Sequence, residues 1–194
     1  MKKSLAIIAA VAVASAASAQ TWEFDLSSSE LSPGSPTTTI TASIDPGPGD
    51  FTVAAANFSV SATEAGWVDG SQVAIPSTRV PAVPGQNPGV VAGADVTGIS
   101  IGQLGLVFGF TAEPGRIDAW RADFTATDFA VERTVDLSTT TTRMDVYVGP
   151  DPGGAWPRES RSPTEGRGSF RIVPAPASLA LLGLGGLAAA RRRR

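Results

Sequence analysis

Apolar and polar residues alternate with period two in one short segment after another between Trp22 and Val173. Trp22-Glu23-Phe24-Asp25-Leu26 interleaves apolar and acidic positions, the pattern of a half-buried strand. Thr37 to Ile44 places Ile40, Ala42 and Ile44 on one face, and Phe51 to Ala62 sets Phe58, Val60 and Ala62 against Asn57, Ser59 and Ser61. Ser32 to Pro36 is a break and Asp45 to Asp50 a turn, because proline presets φ and glycine accepts positive φ. Asp69-Gly70 reads as a two-residue hairpin, with Ser71 to Ile75 as the returning strand. Pro76 to Gly98, crossed by Pro81, Pro84 and Pro88, reads as a long loop with at most a brief strand over Gly89 to Ala92. Ile99 to Thr111 is the most apolar stretch of the interior and predicts a central strand pair bent at Gly102 and Gly105. Arg116 to Phe124 places Ile117, Ala119 and Arg121 opposite Asp118, Trp120 and Ala122. Thr127 to Leu137 aligns Phe129, Val131, Arg133 and Val135, and Ser138 to Gly149 carries Met144, Val146 and Val148. After a second loop from Asp151 to Gly168, a last strand over Gly168 to Val173 has Phe170 and Ile172 in phase.

No interior segment sustains a helical period with caps. Short strands with frequent turn signals predict an all-β fold, an antiparallel β-sandwich of jelly-roll or immunoglobulin-like type. The two ends are different in kind and are expected to be helical. Lys2 and Lys3 precede an apolar run from Leu5 to Ala14, and Ala17-Ser18-Ala19 follows. This is the layout of a secretory signal peptide, with small residues at Ala17 and Ala19 where signal peptidase reads and Gln20 as the first mature residue. At the other end Pro174-Ala175-Pro176 leads into an uncharged run from Ala177 to Ala190, closed by Arg191, Arg192, Arg193 and Arg194. The chain therefore divides into a signal peptide over 1–19, a β-sandwich domain over 20–173 and a tail over 174–194.

Charge sharpens this division. All 18 acidic residues lie in 20–173, against 9 of the 15 basic ones, so the domain carries −9 and contains no lysine. Such a body repels polyanions, and nucleic acid is not an expected partner. The chain has no cysteine and no histidine. Ser–His–Asp and Cys–His nucleophilic catalysis are thereby excluded, as are the usual zinc, copper and haem sites. Calcium, which takes oxygen ligands, is the one metal left open, with Asp45, Asp50 and Asp151 in turns and loops. Otherwise no cofactor is expected.

The tail supports a further argument. As a helix, its 14 apolar residues reach about 21 Å at ~1.5 Å per residue, short of the roughly 30 Å hydrocarbon core. They suit a transient membrane hold better than a permanent anchor. The terminal arginines stay cytoplasmic, which leaves the acidic domain outside. The stretch from Val173 to Leu187 with its closing arginines resembles the PEP-CTERM sorting signal. That resemblance implies export, a transient membrane hold, and processing near Pro174-Ala175-Pro176 by an exosortase, with delivery to the cell surface or the extracellular matrix. One position departs from the family pattern: its central glutamate is Ala175 here.

The body is expected to be a non-enzymatic surface or matrix protein of structural or adhesive type. Two alternatives stay open. A carbohydrate-binding module would stack sugar, and so polysaccharide, on Trp67 and Trp156, which lie next to turns or in loops. A carboxylate-dependent glycan hydrolase would use Asp118 with Asp123 or Glu113.

Overall fold

In a computed structural model, residues 20–75, 86–102, 115–148 and 157–175 are described. They form eleven strands and no helix: β1 (Thr21–Leu26), β2 (Glu30–Leu31), β3 (Thr37–Asp45), β4 (Thr52–Ala62), β5 (Val73–Ala74), β6 (Val90–Ala92), β7 (Asp95–Gly102), β8 (Ile117–Thr125), β9 (Arg133–Tyr147), β10 (Arg158–Ser160) and β11 (Arg167–Ile172). The expected signal helix and tail helix lie outside the described residues. Among the described residues no helix is long and apolar enough to cross a membrane.

The strands make two sheets. One has the order β1-β3-β8-β5, the other β2-β11-β9-β4-β7-β6, and β10 also pairs with β9. Pairing is antiparallel except between β2 and β11, which run parallel. β10 and β11 lie end to end along the same side of β9, against Asp145–Tyr147 and Arg133–Ser138 respectively. The alternation read from the sequence is what packs the sheets together. Ile40, Ala42 and Ile44 of β3 and Phe58, Val60 and Ala62 of β4 are buried as their period predicts. Across the interface the Trp22 and Phe58 rings lie 4.3 Å apart, and Phe124 meets Phe170 edge-on at 5.0 Å. The fold is thus an all-β sandwich of jelly-roll type.

Several expectations need correction. On β8, Trp120 is buried and Arg121 is exposed, the reverse of strict alternation. Ala42 faces Trp120 but Ser43 faces Asp118, so Ala119 is the extra residue of a β-bulge. A bulge shifts the inward phase by one position. Asp69-Gly70 makes a turn, with Gly70 at φ 82°, but not a hairpin. Trp67 before it and Val73–Ala74 after it both pair with β8, so residues 68–72 bulge out of a single edge segment.

The long loop ends earlier than expected. β6 and β7 form a hairpin around Gly93, and β7 starts at Asp95 rather than Ile99. Residues 76–85 lie outside the described part, as do Leu104 to Phe110 of the expected central pair. The two strands expected over 127–149 are one. β9 starts only at Arg133, and Val131 is exposed.

Candidate functional site

Shallow troughs open on the faces of both sheets. One, of about 450 Å³, is lined by Ser61, Ala62 and Thr63 at the end of β4, Asp136, Leu137 and Ser138 of β9, and Arg167 and Gly168 of β11. All but Thr63 belong to the seven-stranded sheet, and Ala62 and Leu137 turn their side chains into the core. The trough therefore lies on the outer face. The strand register builds it: Ser61 pairs with Ser138, and Ser138 with Arg167, so these three side chains share one row across β4, β9 and β11. Asp136 sits in the next row, its backbone N–H donating to Thr63 Oγ1 at 3.1 Å and its carbonyl accepting from Thr63 N at 3.0 Å. The second trough, of about 300 Å³, is lined by Thr39 of β3, Ser71 and Val73, and Arg121 to Asp123 of β8.

The charged groups elsewhere on the body are mostly committed to one another. Arg116 bridges Glu23 and Asp25, Arg133 grips Glu64, and Arg171 meets Glu132 and Glu30. Arg161 donates Nε and Nη2 to Asp50 at 3.0 and 2.9 Å and Nη1 to Glu159 at 2.5 Å. These acceptors raise its already high pKa. Among the described residues Arg121, Arg158 and Arg167 form no salt bridge; Arg158 donates to Tyr147 Oη at 2.8 Å and lies over its ring, whereas Arg121 and Arg167 each line one of the troughs.

Asp145 is the best-buried carboxylate of a third cluster. It accepts from Arg143 Nε at 3.0 Å and Nη2 at 2.5 Å and from Ser160 Oγ at 2.9 Å. Burial pushes its pKa up, but the Arg143 and Ser160 hydrogen bonds and the charges of Arg143 and Arg158 outweigh that, and the net direction is down. A carboxylate with a lowered folded pKa contributes stability that is complete above its unfolded value of about 3.9 and is lost as pH falls through the folded one. Urea titrations from pH 7 to pH 3 are expected to show the stability gap between wild type and Asp145→Asn narrowing on acidification.

The residues singled out from sequence fare unevenly. Trp67 is not exposed. It is a core residue, its indole N–H donating to the Ala94 carbonyl at 2.8 Å and its ring packed edge-on against Trp120 and Phe124, so no face is free to stack on a sugar. Trp156 lies outside the described residues. Asp118 and Asp123 stand on the outer face of β8, where they accept from Ser43 Oγ at 2.8 Å and Thr39 Oγ1 at 2.6 Å. Glu113 is outside the described part. Asp45 Oδ1 accepts from Gly47 N at 2.8 Å and Asp50 is held by Arg161, so both are used within the fold; Asp151 is not described. Among the described residues no three acidic side chains gather in a way that could hold a metal ion. The run Thr139 to Thr142 proves structural: Thr139 and Thr141 donate to Glu165, and Trp22 Nε1 donates to Thr141 Oγ1 at 2.8 Å. Gln20 is buried, its side-chain amide donating to Asp50 at 2.9 Å. Ala17, Ala19, Pro176 and Arg191 to Arg194 lie outside the described residues.

The fold and the tail have separate relatives. The cohesin module of a family 33 glycoside hydrolase from Clostridium perfringens superposes with a TM-score of 0.52 at 13% identity, over 81% of this chain and 99% of that one. A type I cohesin of ScaB from Pseudobacteroides cellulosolvens gives 0.49 at 10% identity, over 80% and 92%. At such identity the first likeness shows the fold alone. No curated protein matches the sequence. Residues 173–194 match the family model of the PEP-CTERM protein-sorting motif. The tail is therefore a sorting motif of that type, and the match supports an exported, surface-directed chain.

Proposed function

We propose that the chain is a non-enzymatic adhesive module displayed at the cell surface or in the extracellular matrix. Signal peptidase removes the leader between Ala19 and Gln20. The tail is held transiently in the membrane and processed near Pro174-Ala175-Pro176 by an exosortase-type enzyme. The observation that carries this reading is where the body is secured. The Gln20 carbonyl accepts from Thr164 N at 2.7 Å, and Val173 N donates to the Leu31 carbonyl at 2.8 Å. These contacts sit immediately inside the two sorting segments, and the strand pairings among the described residues all lie between them. The absence of histidine and cysteine, and the engagement of Asp118 and Asp123 on an open sheet face, favour binding over catalysis. The cohesin-like sandwich agrees with that preference.

Intact-mass analysis of protein recovered from the surface fraction tests the processing. A chain beginning at Gln20 and lacking Arg191 to Arg194 is expected. Recovery of a chain still ending in the four arginines would overturn the processing step. Ala175→Glu, which restores the family's carboxylate, is expected to raise the processed fraction.

A further inference from the structure

The 450 Å³ trough of the seven-stranded sheet falls within the roughly 300–1,000 Å³ of small-molecule sites. Thr63 Oγ1 accepts from Asp136 N, but four other polar side chains of the lining are not used by the fold. Among the described residues the side chains of Ser61, Ser138, Asp136 and Arg167 make no hydrogen bond or ion pair with any other side chain. Arg167 and Asp136 are one row apart on adjacent strands, yet they do not pair. Five other arginines of the body do pair with acids. The trough thus offers a planar fork of donors, a carboxylate with acceptors only, and hydroxyls that do both.

Which ligand this set suits follows from charge. The lining holds one guanidinium and one carboxylate, and Asp95 of β7 follows Ser61 in the same cross-strand row, on a body of −9. A polyanion meets the repulsion of the whole domain. A polycation meets Arg167 at the trough itself, although acids elsewhere on the surface would attract it. A neutral ligand rich in hydroxyl groups loses nothing to either effect. Its vicinal hydroxyls can accept from the Arg167 fork and donate to Asp136 at the same time, with Ser138 beside both and Ser61 across β9 from Arg167. Among the described residues no aromatic ring lines the trough, so recognition rests on directed hydrogen bonds rather than stacking. We infer that this trough is a saccharide-binding site, and that its ligand is a neutral hexose polymer. The inference gives the adhesive reading a ligand class and rests on it.

The test uses the whole chain in detergent, with backbone amide NMR during titration by neutral β-linked glucose, galactose and mannose hexamers. A galacturonate hexamer and an oligolysine are run in parallel. At least one neutral hexamer is expected to shift the amides of residues 61–63, 136–138 and 167–168 saturably. Arg167→Ala and Asp136→Ala are each expected to weaken that binding by about tenfold or more, and Arg167→Lys by less than Arg167→Ala. Both sites are on the surface, so retained amide dispersion will show that the variants fold. Tighter binding of the galacturonate or the oligolysine at these amides overturns the assignment. So does the lack of any saturable shift, or binding that survives both alanine substitutions. None of those results would touch export or tail processing, which are read by mass.

Discussion

Trp120→Ala is expected to be the most damaging single change in the body, costing about 4 kcal/mol, within the ~3–5 kcal/mol range for truncating a fully buried Trp. Trp120 is 0% exposed although it sits at a position that strict alternation would turn to solvent. The bulge at Ala119 brings it inward, where its ring meets Trp67 edge-on at 5.7 Å. Its indole N–H donates to the Pro88 carbonyl at 2.8 Å and so ties the segment leading into β6 to the four-stranded sheet. Truncation leaves a cavity and takes away the donor to the Pro88 carbonyl. For a body of this size the melting temperature should fall by on the order of 10 °C. Urea unfolding is the direct check, with the midpoint reduced and the slope unchanged. Trp120→Phe separates the two losses, since it fills most of the space but cannot donate. It should cost about half as much, and hydrogen exchange should quicken around residues 86–92.

Asp50→Ala is the second. The Asp50 side chain is 7% exposed and serves as the common acceptor for Arg161 and the Gln20 amide. Removing it strands a largely buried guanidinium, whose remaining carboxylate partner is Glu159. Breaking a buried pair from one side costs about 3–5 kcal/mol. Arg161 keeps 27% exposure, so about 2–3 kcal/mol is expected here. The damage should be local as well as global. Arg161 holds the segment that bonds to Gln20 and Trp22 through Thr164, so the amides of Trp22 and Thr164 should lose protection from exchange. The double substitution Asp50→Leu with Arg161→Met should be milder than Asp50→Ala alone, because the one charge it leaves unpaired, Glu159, is exposed.

The long strands with clean alternation were legible in the sequence, and β1, β3, β4 and β11 fall within a residue or two of their patterns. Legibility failed where one residue changes phase. Nothing local marks Ala119 as a bulge, and from that point on β8 the faces are exchanged. It failed again at β9, where Thr139 to Thr142 carries no apolar alternation and a single fifteen-residue strand looks like two. β2 and β10 are too short to show a period, whereas β5 and β6 fall inside the strands expected over Ser71 to Ile75 and Gly89 to Ala92. Trp67 was misread because adjacency to a turn says little about which way a ring points. The saccharide trough could not be read at all. Its row of Ser61, Ser138 and Arg167 exists only through the register of three strands far apart in the chain.

The placement of β11 has a mechanical consequence. The strand that ends at the sorting tail lies between β9 and β2, antiparallel to one and parallel to the other. Tension passed through the tail along that strand's axis would enter the body at Val173 and load both ladders in shear. The bonds would then share the force at once instead of opening one by one like a zipper. A module that grips a neighbour while its own chain is still tethered would need such an attachment, one that yields last where it is pulled first.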